Sequence, residues 1–491
     1  MKLVQKLFLF VCAGSVLLFA GCSGKKTAES SRGYDLYIFN TKGENAEAMK
    51  AAADAFGREK GIAVKVFSLG SGTNSDDTLR TEMSSKNKPA IFSVMNSQAL
   101  VEWVEGKYAM DFSTAKNQDF KKLAGSIPSS LRLQQNGISY GVPYNVEGYG
   151  LIVDKNMLAD LFGKDSVEPF IGAFITATYE EFENTVHIVQ AYIKSGTAGT
   201  VTLSGRTFTL AAQKTGLAKN LTGVFSVAGS EKWTYGDHLV NIAIDTIFPD
   251  SAAAKNTTKQ ELEAGKSSFT AYAKALDLMS QNATTPRGPD LINATINGYD
   301  QSVATFAAGK ALFLKQGNWA YGNIEKANPG VVKTLTFLPV KMPFTQSDIH
   351  VQGLTVGHMN ASIPVFVPNY YAINTKVSDK EKELAEEFLV WLNTSAEGQD
   401  FIINKMSFIP YNADPAKTSA GYSLGDSIIS YMAAGKTITN AYAGAPVGWA
   451  TENMGAYLME NYLNKKNWPD NAYDDIAGYA VSRWEEMANI N

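Results

Sequence analysis

Cysteine is nearly absent: the 491-residue chain holds two, Cys12 inside an N-terminal apolar run and Cys22 at its end. Neither is placed to cross-link a folded body. Disulfides and a structural zinc site are therefore excluded as supports, and an apolar core must hold the fold. Histidine is scarce too. His187, His238, His350 and His358 are scattered, with no pair spaced as metal ligands on one helical turn. All four read as surface or loop residues, and no metal or other cofactor is expected. Basic charge is also missing, because a net charge of -4 leaves no footprint for nucleic acid. With 45% hydrophobic and 19% charged residues, the chain is globular and long enough for about two or three domains.

The N-terminus has what the rest lacks. Lys2 and Lys6 precede the apolar run Leu7 to Phe19, which ends on Ala20, Gly21 and Cys22. A charged start, an apolar middle and small residues at the end make a secretory signal. The end of the segment resembles the lipobox of bacterial lipoproteins, with Phe19 where that family usually has leucine. The resemblance implies cleavage after Gly21, lipid on Cys22 and an extracytoplasmic address, periplasmic or cell-surface. The alternatives are an uncleaved anchor or an ordinary secretory cut, but the run is short of the about 20 apolar residues a bilayer span needs. Residues 22–33 are polar enough to be a tether.

Asp35 to Asn40 (DLYIFN) reads as a buried strand. Ala46, Met49, Ala53 and Phe56 fall on one helical face, with Gly57 and Gly61 closing the helix. Further strands are expected at Ile62 to Val66 and Ala90 to Met95, a strand, helix, strand rhythm that indicates a parallel sheet covered by helices. Ser139 to Asp154 holds two strand-like pieces around a polar turn. From Asn156 to about Asp300 the pattern is helical, with loops at 195–206 and 280–298. Val303 to Phe313 is a helix leading into a strand, and 337–343 is extended. Asp379 to Leu392 is a helix with Ser378 and Glu381 at capping-box spacing, and Thr394 with Glu397 repeats the signal. Helices are expected again at 427–435, 449–463 and 473–488.

Motifs for catalysis are wanting. Gly265-Lys266-Ser267 and Gly435-Lys436-Thr437 end like phosphate loops, but Gln260 and Ser430 stand where the first glycine is required. No G-x-S-x-G elbow is present. Ser85 to Lys88 fits S-x-x-K only as a short lysine-rich turn. Gly70-Ser71-Gly72 lacks the third glycine of a dinucleotide loop. Paired carboxylates stay open, because glycosidases need only two at the right separation.

Leu36 to Val66, ending in "KGIAVKV", together with "YGVPYNVEGYGLIVDKNML" (140–158), "TFAAGKALFLKQGNWAYGN" (305–323) and "AEEFLVWLNTSAEGQDFI" (385–402), resembles the solute-binding proteins of bacterial ABC importers. The likeness is to the carbohydrate-binding family that includes maltose-binding protein, and it follows that family's order over most of the chain. Residues 163–300 exceed what a compact member needs. The resemblance implies a periplasmic-binding-protein-like α/β fold, two lobes with a ligand cleft between them and several hinge crossings. Lobe one would span 34–146 and 341–408 and lobe two 147–340 and 409–491, crossing near 145, 340 and 409.

The same resemblance implies the site. Trp319 matches the stacking tryptophan of a glycine-flanked turn, Trp449 a late aromatic at a helix start, and Trp233 a looser third. Glu147 falls on the carboxylate at the lobe crossing, Lys42 on a cleft lysine, and Asn96 with Ser97 on a polar pair that often includes aspartate. Flat rings for the C–H face of a pyranose and polar groups for its hydroxyl rim are what a sugar requires. The implied function is capture of a sugar or oligosaccharide and delivery to the membrane permease, by a monomer and without catalysis. The alternatives are a surface lipoprotein glycoside hydrolase using Glu147, or the same fold holding a polyamine or polyol phosphate.

Overall fold

The computed structural model describes residues 33–69, 75–127, 131–413 and 418–490. The leader, Cys22, nearly all of the tether and Gly70-Ser71-Gly72 lie outside the described residues. Two sheets organise the chain. The first contains β1 (Leu36–Asn40), β2 (Val64–Ser68), β3 (Ile91–Val94), β4 (Leu133–Gln135), β5 (Ile138–Pro143) and β13 (Tyr370–Ile373), in the order β2-β1-β3-β13-β5-β4. β1 is parallel to β2 and β3, and β13 runs antiparallel between β3 and β5. Leu36, Tyr37, Ile38 and Phe39 are all fully buried, which is why β1 reads as a continuous apolar run. The following helix, Ala46–Lys60, ends at Gly61, whose φ of 68° is the left-handed cap. Gly57 does not close it. It lies inside, where a β-carbon would come 2.8 Å from the Ile62 carbonyl that folds back over it.

β6 (Glu147–Asp154) is the centre of the second sheet, which has the order β14-β12-β6-β10-β9. Its members are β9 (Gly223–Ser226), β10 (Ala311–Gly317), β12 (Ile363–Phe366) and β14 (Thr437–Ile438), with β11 (Leu335–Leu338) also on β6. β10 holds one edge of β6 and β12 with β11 share the other, all antiparallel to it. Helices Tyr179–Ser195, Val240–Ile247, Lys266–Gln281 and Ala472–Ala488 contribute to the large core on this side.

Several expectations are corrected. Residues 195–206 are not only loop: Thr200–Leu203 (β7) and Arg206–Thr209 (β8) form a hairpin that buries Val201, Leu203 and Phe208. Its turn, Ser204-Gly205, has both φ angles positive, at 47° and 73°. The capping box of Ser378 and Glu381 is present at the start of Asp379–Thr394. The next helix, however, is capped by Ser395, which accepts from the Gly398 N–H, and not by Thr394. β12 lies in the span expected for lobe one, yet Val365 and Phe366 pair with Gly148 and Glu147 of the second sheet. The chain therefore changes sheets between Tyr144 and Glu147 and again between Phe366 and Tyr370. At the first of these passages the Val146 N–H donates to the Ile409 carbonyl at 2.8 Å.

Candidate ligand site

Side chains alternate along a strand, so Glu147 and Tyr149 share one face of β6. Cross-strand register adds Phe366 opposite Glu147, Gly317 opposite Tyr149 and Lys315 opposite Leu151. Gly317 matters because it is bare. A β-carbon there would lie 2.1 Å from the Trp319 ring, which occupies that space. The Trp319 indole N–H donates to Gln316 Oε1 at 3.1 Å. Its turn, Asn318–Ala320, is tied to the start of β6 by the Gly148 N–H, which donates to Asn318 Oδ1 at 3.0 Å.

A π-helical turn, Thr234–Leu239, covers this face. It approaches a second such turn, Trp449–Gly455, closely enough that a β-carbon on Gly236 would sit 2.9 Å from Gly455. Thr451 Oγ1 donates to Asp237 Oδ1 at 2.6 Å. Burial pushes Asp237 up to about 7, against the opposing effects of Thr451 and Lys315. Burial likewise lowers Lys315 to about 7, with Asp237 acting the other way. The Lys315 ammonium donates to the Thr234 carbonyl at 2.6 Å and lies 5.1 Å from the Tyr149 ring centre.

The turn carries His238 into an aromatic box. Ring centres lie 4.6 Å away for Tyr149, 5.0 Å for Trp319, 5.3 Å for Trp233, 6.0 Å for Phe366 and 6.4 Å for Tyr442. His238 is thus not the surface or loop residue that its isolation in sequence suggested. Its Nδ1 is buried without a hydrogen-bond partner among the described residues. Burial first, then Lys315 and Lys42, hold its pKa well below the ordinary imidazole value, so the ring is neutral.

Lys42 and Glu147 meet where the two sheets are joined. Lys42 Nζ donates to Glu147 Oε1 at 2.7 Å, with the two side chains 13% and 5% exposed. Asn145 Nδ2 donates to the same oxygen at 3.1 Å, while Oε2 accepts no hydrogen bond among the described residues. Asn40 sets the lysine turn by accepting from the Lys42 N–H at 3.1 Å and donating to its carbonyl at 3.0 Å. Tyr144 donates to Asn40 and stacks on Tyr371 at 3.9 Å. Removing either member of the pair leaves a charge largely out of water, and each of Lys42→Met and Glu147→Gln is expected to cost about 1–3 kcal/mol. The double variant should cost less than the sum of the two, which urea midpoints of the four proteins would show.

The structure thus groups Trp319, Trp233, Glu147 and Lys42 around β6. Asn96 Oδ1 accepts from the Ala99 N–H and so caps the helix Ser97–Glu105. Ser97 begins that helix, which packs against the Ala441–Gly444 turn beside the second sheet. Trp449 is a correction. It is 0% exposed, its ring 4.7 Å from Trp484 and its N–H given to the Ala480 carbonyl at 3.1 Å, so no face remains for a ligand. The residues that sequence reasoning missed are His238, Tyr149, Phe366, Tyr442, Lys315 and Asn145. Asn145 and Tyr149 stand two residues on either side of Glu147 and were accessible from the sequence; the others come together only through tertiary folding.

Two α/β lobes, joined beside a buried ion pair and an aromatic cluster at one end of the second sheet, define a binding protein of the periplasmic type. Residues 51–423 match the family of bacterial extracellular solute-binding proteins, and the chain belongs to that family. No curated protein matches it in sequence. Among solved structures the fold is similar to that of a chitin oligosaccharide binding protein, at 15% identity over 92% of this chain and 98% of that chain, with TM-score 0.64. It is similar also to RafE from Streptococcus pneumoniae in its apo form (16% identity, 92% of this chain, 97% of that chain, TM-score 0.60). A RafE complex with raffinose gives 15%, 92%, 99% and 0.61 for the same quantities. A sugar transporter from Bacillus licheniformis in complex with stachyose gives 14%, 92%, 99% and 0.57. The family places the chain outside the cytoplasm. No helix among the described residues is long and apolar enough to cross a membrane.

Proposed function

We propose that this protein captures an uncharged sugar or oligosaccharide between its lobes and hands it to the permease subunits of an ABC importer, as a monomer tethered through lipid on Cys22. The observation that carries the reading is the carboxylate of Glu147. One oxygen is paired with the Lys42 ammonium and accepts from the Asn145 amide, and the other is left to accept a hydroxyl beside a cluster of flat rings. A pair already balanced in charge suits a neutral ligand better than a polyamine or a phosphate. The sheets support a division into lobe one at 34–146 and 367–408 and lobe two at 147–366 and 409–491. Ligand contacts to both lobes would favour the closed form, the state a permease reads.

Binding to the native state raises apparent stability by mass action, so thermal unfolding with a sugar panel is the direct test. Raffinose, stachyose or chitin oligosaccharides are expected to raise the melting temperature, whereas spermidine and glycerol 3-phosphate leave it unchanged. No shift with any sugar, or hydrolysis of one of them, would sink the reading.

A further inference from the structure

We propose that His238 is a built-in occupant of the aromatic box, and that its ring must leave before a ligand ring can stack there, so that this residue sets which rings enter and how tightly. The inference rests on the sugar-binding reading for its ligand, and on the geometry alone for the plug.

Three observations carry it. The first is position. The rings of the box approach one another only at 6.0–6.4 Å: Tyr149 with Phe366 and Trp319, Trp319 with Phe366 and Trp233. The imidazole lies 4.6–5.3 Å from three of them, which makes it the filling and not one wall. The second is coverage. His238 lies nearly parallel to Tyr149, at 29°, on the face a pyranose would use, and Tyr149 is 0% exposed. No stacking surface is offered on this ring until the imidazole moves. The third is polarity. Nδ1 is buried without a hydrogen bond among the described residues, so the resting place wastes a polar group that would gain a partner on leaving. Nor does a charge hold the ring. Facing groups are Lys315 from β10, Lys42 from the first lobe and Tyr149 and Tyr442, while Asp237 on the same turn is engaged by Thr451.

A protein whose competent state is a fraction of the whole binds more weakly by that fraction. Emptying the box should remove the penalty. His238→Ala is expected to bind raffinose or its preferred sugar about tenfold more tightly, and His238→Phe, which fills the box without leaving readily, about tenfold more weakly. The ligand-free proteins supply an independent readout: acrylamide quenching of tryptophan emission should rise in His238→Ala, as Trp319 and Trp233 lose their cover, and not in His238→Phe. Unchanged quenching overturns the plug. So does weaker sugar binding by a folded His238→Ala protein, which would make the imidazole a ligand contact. Increased quenching with no sugar bound by any variant would retain the plug and overturn the sugar reading.

Discussion

Replacing Trp449 with alanine is expected to lower the stability of the second lobe by about 3–5 kcal/mol, the range for a large buried aromatic, and to leave ligand affinity unchanged in whatever fraction folds. The indole is fully buried between Trp484, at 4.7 Å, and Phe269, at 6.1 Å, and no solvent reaches its faces. Truncation opens a cavity in a core whose neighbours belong to two different helices, Lys266–Gln281 and Ala472–Ala488, so collapse onto the void would have to move both. The lost N–H bond to the Ala480 carbonyl adds less, because that carbonyl lies within a helix and keeps its helical partner. A fall in urea midpoint with an unchanged dissociation constant is the expected pair of results. Loss of binding with unchanged stability would restore Trp449 to the ligand site.

That tryptophan shows where the sequence stopped being legible. A polar, glycine-bearing approach such as "PVGWATENM" announces a turn, and a turn can face a cleft or tuck into a core with the same residues. Trp319 has a similar approach, yet its ring stays only partly buried and lies over bare Gly317, which pairs with Tyr149. The strand, helix, strand opening and the capping box at Ser378 were visible because each depends on local periodicity or spacing, and Glu147 was reached through the family resemblance of its segment. β12 was not. Its four residues, Ile363-Pro364-Val365-Phe366, carry no signal of which sheet they join; pairing with β6 decides it. His238 was harder still. A lone histidine after Gly236-Asp237 reads as solvated loop, but it lies in the π-helical turn Thr234–Leu239 with its ring inside the box.

Trp319→Ala is expected to weaken sugar binding on the order of 100-fold, about 2.7 kcal/mol, as for an aromatic anchor at the centre of a binding surface. Its effect on stability should be smaller than that of Trp449→Ala. The Trp319 ring is only partly buried, and its contacts with other rings lie at 5.0–6.4 Å. Two features pre-position the ring before ligand arrives, its N–H bond to Gln316 and the vacant space above Gly317. Pre-positioning reduces the ordering cost of binding, so an indole pushed out of place should be nearly as harmful as one removed. Gly317→Ala does this without touching the tryptophan: its β-carbon claims the space of the ring, at 2.1 Å, in backbone that alanine otherwise adopts freely. Titration calorimetry on both variants separates the possibilities. Similar losses in both place the stacking surface at Trp319 in the orientation seen here. Loss in Trp319→Ala alone would mean that the ring binds sugar from another orientation, and loss in neither would remove it from the site.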